Sequence, residues 1–410
     1  MFKVVIVFIF ILMAADTTWA GNWNNGGKAK TFGGQNSCIV EGQNTKPTLK
    51  QMRASFVSCH QFYFSHNGRF KVAASQDPRS LNFDVVSDAF VDRQLKTTGL
   101  LSYILYKDGK VIKDARSPKD RLGYLYDNKT LYHSASVGKS LTSYLLGHAI
   151  CEGHISSLDQ TIEDWPLLKN TPYEKQRLID LVNMTVGDSR YFISERVFLK
   201  NRLNIKGVNH ETIRYWGDAL QGESPLLSNK FNYSQMVSGL VLNYIAFRMK
   251  GNFDELLRDV YTNRVKIASK LQVGYVDKQA QPDDGRLSNS VWVTRYDYLR
   301  IAIKMLEDWN SNNCVGKYLK QLYRKRVKGN FGTEYGHGLF RRHHRYGKDY
   351  DYAGFFHTNI ANTEDTIFGM AGYGGQYLFI NFDTGTIVST NAVHDDFDTA
   401  KLVVDAINGR

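Results

Sequence analysis

Leu131–Gly153 reads LYHSASVGKSLTSYLLGHAICEG, and the fold is best read outward from it. Ser136 and Lys139 form a Ser-x-x-Lys pair at the head of a strongly apolar run. Residues three apart on a helix share a face, so the Lys139 amine can reach the Ser136 hydroxyl. A serine hydroxyl is a poor nucleophile without a nearby base, and lysine serves as one when burial or a neighbouring positive charge lowers its pKa. Leu141, Tyr144, Leu145, Leu146, Ala149 and Ile150 repeat at helical spacing and would anchor the helix in a core. Ser134 or Ser136 stands where a helix cap is expected. The hydroxyl would then lie beside unpaired N–H groups and the positive end of the helix dipole. Taken alone, the pair is better read as a capping serine and a solvated lysine, because two such common residues recur by chance in a chain of 410 residues.

The flanking sequence narrows the choice. Upstream, Leu100–Tyr106 and Val111–Ile112 flank an Asp108-Gly109 turn, the pattern of a β-hairpin. From Asp159 to about residue 320 the pattern is helical and loop-rich, punctuated by Pro166, Pro172 and Pro225. Helices are expected near 174–184, 233–249, 253–260 and 294–309. Strand patterns return at Gly336–Phe340, Thr366–Met370, Gln376–Ile380 and Thr386–Thr390, and Asp383-Thr384-Gly385 turns between the last two. A short amphipathic helix closes the chain at about 396–408, and no internal repeat is visible. The first and last strands can share one antiparallel sheet only if the middle forms a separate lobe. The expected fold is therefore α+β in three layers: an antiparallel sheet flanked by helices, with a large, mostly helical insertion at about 155–325. A cleft between the lobes would hold Ser136.

Lys3 followed by the apolar run Val4–Ala15 and by Thr18-Trp19-Ala20 has the form of a signal peptide over residues 1–20. The run is too short for a stable membrane span, and no later stretch is apolar enough, so the mature protein is expected to be exported, periplasmic or secreted. Residues 21–95 read as a Gly/Asn-rich leader and a partly helical extension, ahead of a main domain at 96–408. Four cysteines allow three pairings. A local Cys38–Cys59 bridge is favoured, with Cys151 a buried free thiol in its apolar helix. No cysteine has metal-ligand spacing, and the adjacent His343 and His344 need not converge. The net charge of +12 comes from scattered Lys and Arg with local clusters at Tyr323–Lys328 and Arg341–Arg345. Without an accompanying nucleic-acid motif, this reads as a basic solvated surface rather than a nucleic-acid site.

Several ordered segments resemble one family, the serine hydrolases related to β-lactamases and penicillin-binding proteins. The similarity is to the branch with class C β-lactamases, D-amino-acid peptidases, esterases and 6-aminohexanoate-oligomer hydrolases. Ser134–Ser140 resembles its first motif, Gly153–Asp159 its helix exit, Asp180–Gly187 the stretch before its active-site loop, and Phe231–Gln235 its second motif. Val293–Arg300 resembles a recurring helix start, and Gly372-Tyr-Gly-Gly-Gln376 the third motif. The resemblance covers roughly residues 95–408 and implies a β-lactamase/transpeptidase-like fold and acyl transfer.

Acyl transfer needs a nucleophile, a proton relay and an oxyanion hole. Ser136 is the expected nucleophile, and Lys139 would hold and exchange its proton. The resemblance makes Tyr233 the general base, its pKa lowered by a neighbouring ammonium, and then the donor to the leaving group. Gln235, Tyr373, Gly374, Gly375 and Gln376 are the expected substrate and oxyanion residues. The two glycines would permit close approach, and the backbone N–H groups of Ser136 and Gln376 would form the oxyanion hole. Gln235 stands where the family has Asn, and Tyr373 where β-lactamases and peptidases have Lys or His. Losing that cation argues against β-lactam turnover and fits an amide or ester substrate of small-molecule or peptide-like kind. No metal or organic cofactor is implied. His394, just past the last strand, reads as a surface-loop histidine. The alternative function is a catalytically silent protein of the same fold that recognises cell-wall fragments or a partner. Specificity would lie in the insertion, notably 188–230, where no code is readable.

Overall fold

The computed structural model describes residues 46–57, 60, 69–169, 171, 173–186, 231, 233–275, 287–329, 350–360 and 363–410. The Asp108-Gly109 turn behaves as its sequence predicts. Both residues lie at positive φ, 51° and 77°, the left-handed pair that matches the twist of a two-residue hairpin. The turn joins β2 (Leu100–Lys107) to β3 (Lys110–Arg116). β2 also pairs antiparallel with a strand from the far end of the chain, β12 (Thr386–Ala392), in a register that includes Tyr106 with Ile387 and Tyr103 with Thr390. The sheet continues through β11 (Gln376–Asn381), β10 (Ile367–Gly372), β9 (Phe356–Thr358), β8 (Asp351–Ala353) and β7 (Val327–Lys328). The eight strands run in the order β3-β2-β12-β11-β10-β9-β8-β7, and every pairing is antiparallel.

Side chains alternate between the two faces of this sheet, and both faces are buried. Along β11, Leu378 and Ile380 enter one core while Tyr377 and Phe379 enter another. One face is covered by α2 (Ala89–Thr97) and the closing π-helical stretch Ala400–Asp405, through Val91, Leu95, Leu402 and Val403. The other face carries α3 (Val137–Cys151) and α7 (Arg295–Ser311), with α8 (Cys314–Arg324) packed on both helices. These are the three layers of the expected α+β architecture. α3 lies at the centre and is buried on all sides, as helices inside large cores are. Two of its polar groups bond to neighbouring elements: Ser140 donates to the Phe355 carbonyl at 2.6 Å and Tyr144 to Asp308 at 2.6 Å.

The middle of the chain is less uniformly helical than its pattern suggests. α4 (Leu178–Val182), α5 (Gln235–Met249) and α6 (Phe253–Leu257) are present, the last running on into a π-helical stretch Arg258–Val265. A second antiparallel sheet accompanies them: β1 (Arg69–Val72), β5 (Leu271–Tyr275), β6 (Leu287–Thr294) and β4 (Leu131–His133), in the order β1-β5-β6-β4. The region ahead of the main domain therefore contributes an edge strand to this sheet. Thr294 then caps α7, and Asp297 accepts the Ala268 and Ser269 N–H groups at 2.7 and 3.0 Å, which fixes the helix start to the chain entering β5.

The cysteine expectation is corrected. Cys151 is not a free thiol but is bridged to Cys314. The bridge joins the last residue of α3 to the first of α8, whose Cα atoms are 5.7 Å apart, within bonding reach. Cys38 and Cys59, the signal and leader segments, the expected strand Gly336–Phe340, the pair His343-His344 and residues 188–230 lie outside the described residues. Among the described residues no helix is long and apolar enough to cross a membrane.

Candidate active site

Ser136 is presented by a short, strained connection between β4 and α3. β4 pairs with β6, placing His133 opposite Trp292. Ser134 extends this ladder: its N–H donates to the Val291 carbonyl at 2.7 Å, and its Oγ accepts from the Val291 N–H at 2.9 Å. Ala135 then adopts φ of 46°, a left-handed conformation that costs a residue bearing Cβ on the order of 1 kcal/mol or more. The chain therefore turns abruptly, and Ser136 stands at the N-cap position of α3.

The capping role considered for either serine is not the one observed. Ser136 makes no side-chain cap hydrogen bond, and the Ser134 hydroxyl is committed to β6. The N–H groups of Val137, Gly138 and Lys139 instead bond back to the carbonyls of Ser134, Ala135 and Ser136, at 3.1 to 3.2 Å. An oxyanion at this helix end thus has the Ser136 N–H rather than the following turn to draw on. The turn sits tightly against its neighbours, since a Cβ on Gly138 would lie 1.8 Å from the Asn289 carbonyl oxygen of β6.

The freed Ser136 hydroxyl is held by the expected partners. Lys139, 2 % exposed, donates from Nζ to Ser136 Oγ at 2.9 Å. Tyr233, two residues before α5 and next to its N-cap Ser234, hydrogen-bonds Ser136 through its hydroxyl. Lys139 Nζ lies 5.1 Å from the centre of the Tyr233 ring. Tyr233 does not have the lowered pKa expected of it. The residue is only partly exposed, and desolvation by the surrounding protein pushes the hydroxyl well above the ordinary tyrosine value. The hydrogen bond with Ser136 offsets only part of that rise. In the resting site Tyr233 is a neutral phenol.

The third motif reaches the same place. It forms the turn between β10 and β11, and a Cβ on Gly372 would meet the Ser134 carbonyl oxygen at 2.6 Å. Gly374 and Gly375 have φ of 85° and 90°, which L side chains rarely adopt. A Cβ on Gly375 would also meet Phe397 at 2.6 Å. Tyr373, partly exposed, is the first residue of this turn. The Gln376 amide is engaged elsewhere, its Nε2 donating to the Ala392 carbonyl at 2.6 Å, which leaves its backbone N–H for the expected oxyanion role. The Gln235 backbone opens α5, and its side chain lies outside the described residues. His394 is buried rather than on the surface, 3.5 Å from the Asp396 carboxylate, because the chain after β12 folds back over Gly99. Among the described residues, no group of three or more His, Cys, Asp or Glu side chains is arranged to hold a metal.

Comparison with known proteins places the chain in a family. Residues 88–404 match the model of the family described as beta-lactamase. The chain belongs to the beta-lactamase family. Members of this family are serine hydrolases, and of the segments that resemble it, those of the first and second motifs supply the Ser136, Lys139 and Tyr233 contacts described above. Several solved structures share the fold. A Bacillus anthracis protein provisionally named a 6-aminohexanoate-dimer hydrolase matches with a TM-score of 0.63 at 15% identity, covering 89% of this chain and 96% of that one. EstCE1, described as a hydrolase with promiscuous acyltransferase activity, matches at 0.52 and 15% identity, covering 77% and 96%. A penicillin-binding protein from Bacillus halodurans matches at 0.52 and 13% identity, covering 76% and 96%. No curated protein sequence matches the chain.

Proposed function

We propose that this protein is an exported serine hydrolase that cleaves an amide or ester bond through an acyl-enzyme on Ser136. The observation that carries the proposal is the convergence of Lys139 Nζ and the Tyr233 hydroxyl on one serine oxygen, at a strained turn beside the Gly374-Gly375 loop. Ser136 Oγ attacks the carbonyl carbon while its proton passes to the Lys139 amine, and the carbonyl oxygen takes the charge. The backbone N–H groups of Ser136 and Gln376 stabilise that oxyanion. The raised pKa of Tyr233 suits it to donate rather than to strip a proton. Its phenol protonates the departing amine or alkoxide and is replenished by the Lys139 ammonium. Water then repeats the sequence on the acyl-enzyme.

Tyr373 in place of a cation favours neutral amides and carboxylic esters over β-lactams. Export is supported by the signal pattern at residues 1–20 and by the Cys151–Cys314 bridge, since disulfides persist in oxidising compartments. The test is incubation with a fluorophosphonate serine probe, followed by intact mass and peptide mapping of wild type and Ser136→Ala. One adduct on the Ser136 peptide, absent from the variant, is expected. A folded wild type that stays unlabelled would refute the proposal and favour a catalytically silent binding protein.

A further inference from the structure

His60 lies outside the residues matched to the family, just beyond α1 (Leu49–Phe56), yet its ring is buried between Phe56 and Tyr132. The two ring nitrogens bind two different sheets. The backbone N–H of His133, the last residue of β4, donates to Nδ1 at 3.0 Å. Nδ1 is therefore the bare nitrogen, and Nε2 carries the hydrogen that it donates to the Ala392 carbonyl at 3.4 Å. The first bond holds the four-stranded sheet three residues before Ser136. The second holds the end of β12, at the same carbonyl that accepts the Gln376 side chain at 2.6 Å. One imidazole thus ties the strand that leads into Ser136 to the β12 carbonyl that also anchors the Gln376 side chain.

We propose that His60 is a positioning residue that sets the spacing between the Ser136 and Gln376 N–H groups, and so the fit of the oxyanion hole. The inference rests on the hydrolase function proposed above. Its physical basis is that an oxyanion hole stabilises charge only when its donors are held in place before the reaction. A displacement of about 1 Å can cost about 100-fold in rate. Burial keeps the ring neutral, with a pKa lowered to about 4, so Nδ1 stays an acceptor at neutral pH.

The two bonds can be separated by substitution. His60→Asn keeps an acceptor near the Nδ1 position and loses the Ala392 bond; His60→Gln keeps a donor near Nε2 and loses the His133 bond. The readouts are the fluorophosphonate labelling rate per folded molecule and kcat and KM on a p-nitrophenyl ester, with thermal unfolding in parallel. Both variants are expected to fold, with labelling and kcat reduced about 10- to 100-fold and KM unchanged. A merely structural role would lower the unfolding temperature and leave the rate per folded molecule at the wild-type value, and that result overturns the proposal. A wild type that takes no probe overturns the hydrolase function and this role with it. Nitrogen NMR of the wild-type histidines covers the case in which neither variant folds: an Nδ1–H tautomer at His60 refutes the bridge, and an Nε2–H tautomer supports it.

Discussion

His148, at the inner end of α3, allows a quantitative test of the buried core. The ring is 1 % exposed, and neither nitrogen has a hydrogen-bond partner among the described residues. Burial lowers its pKa from 6.5 to about 4, and the nearby Asp308 carboxylate offsets only part of that fall. Unfolded, the ring takes a proton below pH 6.5; folded, it does so only below about pH 4. The unfolded chain thus binds more protons in this window, and stability rises with pH across it. The contribution is whole above pH 6.5 and is lost as the pH falls toward 4. At about 1.4 kcal/mol per pH unit, the loss between pH 6.5 and 4.5 is about 2–3 kcal/mol. His148→Leu, similar in volume and unable to titrate, removes this dependence. At pH 7 it changes stability little, because it relieves an unpaired polar group, worth about 1–3 kcal/mol, but loses the edge-on contact with Tyr144 at 4.7 Å, worth about 1 kcal/mol. Urea unfolding followed by tryptophan fluorescence at pH 7, 6, 5 and 4.5 (chosen to span about the window from the usual histidine pKa down) should show the variant overtaking the wild type by about 2–3 kcal/mol at the acid end. Parallel stability curves would refute the reasoning.

Three further outcomes can be checked by the same unfolding assay. Gly138→Ala should destabilise by about 1–3 kcal/mol despite alanine's better helix propensity, because its methyl would collide with the Asn289 carbonyl oxygen; unchanged or raised stability would contradict that close approach. Asp297→Ala should cost about 3–5 kcal/mol, since it strands the Ala268 and Ser269 amides and the Arg300 guanidinium, 3.1 Å from the carboxylate. Cys314→Ser opens a bridge spanning 163 residues, and the chain-entropy model puts the loss at about 5 kcal/mol; an unaltered urea midpoint under oxidising conditions would count against it.

The elements legible in the sequence are those whose signals are local. Asp108-Gly109 specifies its own hairpin, the apolar strands β10 to β12 are bounded by turn residues, and Ser136 and Lys139 are brought into reach by helix geometry alone. Tyr233 required the resemblance, because nothing local marks one tyrosine among 24. The four-stranded sheet was hidden: β4 has three residues and β1 four, too few to establish a period of two, and β6 runs straight into α7. The Cys151–Cys314 pairing and the burial of His394 depend on which segments meet in space. The rise in the Tyr233 pKa has the same origin, since desolvation by the surrounding protein outweighs a polar contact that the motif did announce. His60 had no signal at all, being a lone histidine whose partners are two main-chain groups.

The Cys151–Cys314 bond has a topological consequence for the polypeptide. It closes residues 151–314 into a covalent ring that contains Tyr233 but neither Ser136 nor the 372–376 turn. The proposed relay is therefore shared between the ring and the two tails that leave it. A single peptide-bond scission inside the ring leaves the molecule in one piece until the sulfurs are reduced, whereas a scission between Cys59 and Cys151 or beyond Cys314 separates the covalent chain into two. Electrophoresis of a nicked sample with and without reductant thus tells on which side of the clasp the cut lies, and a single cut in the insertion cannot detach Tyr233 from its serine.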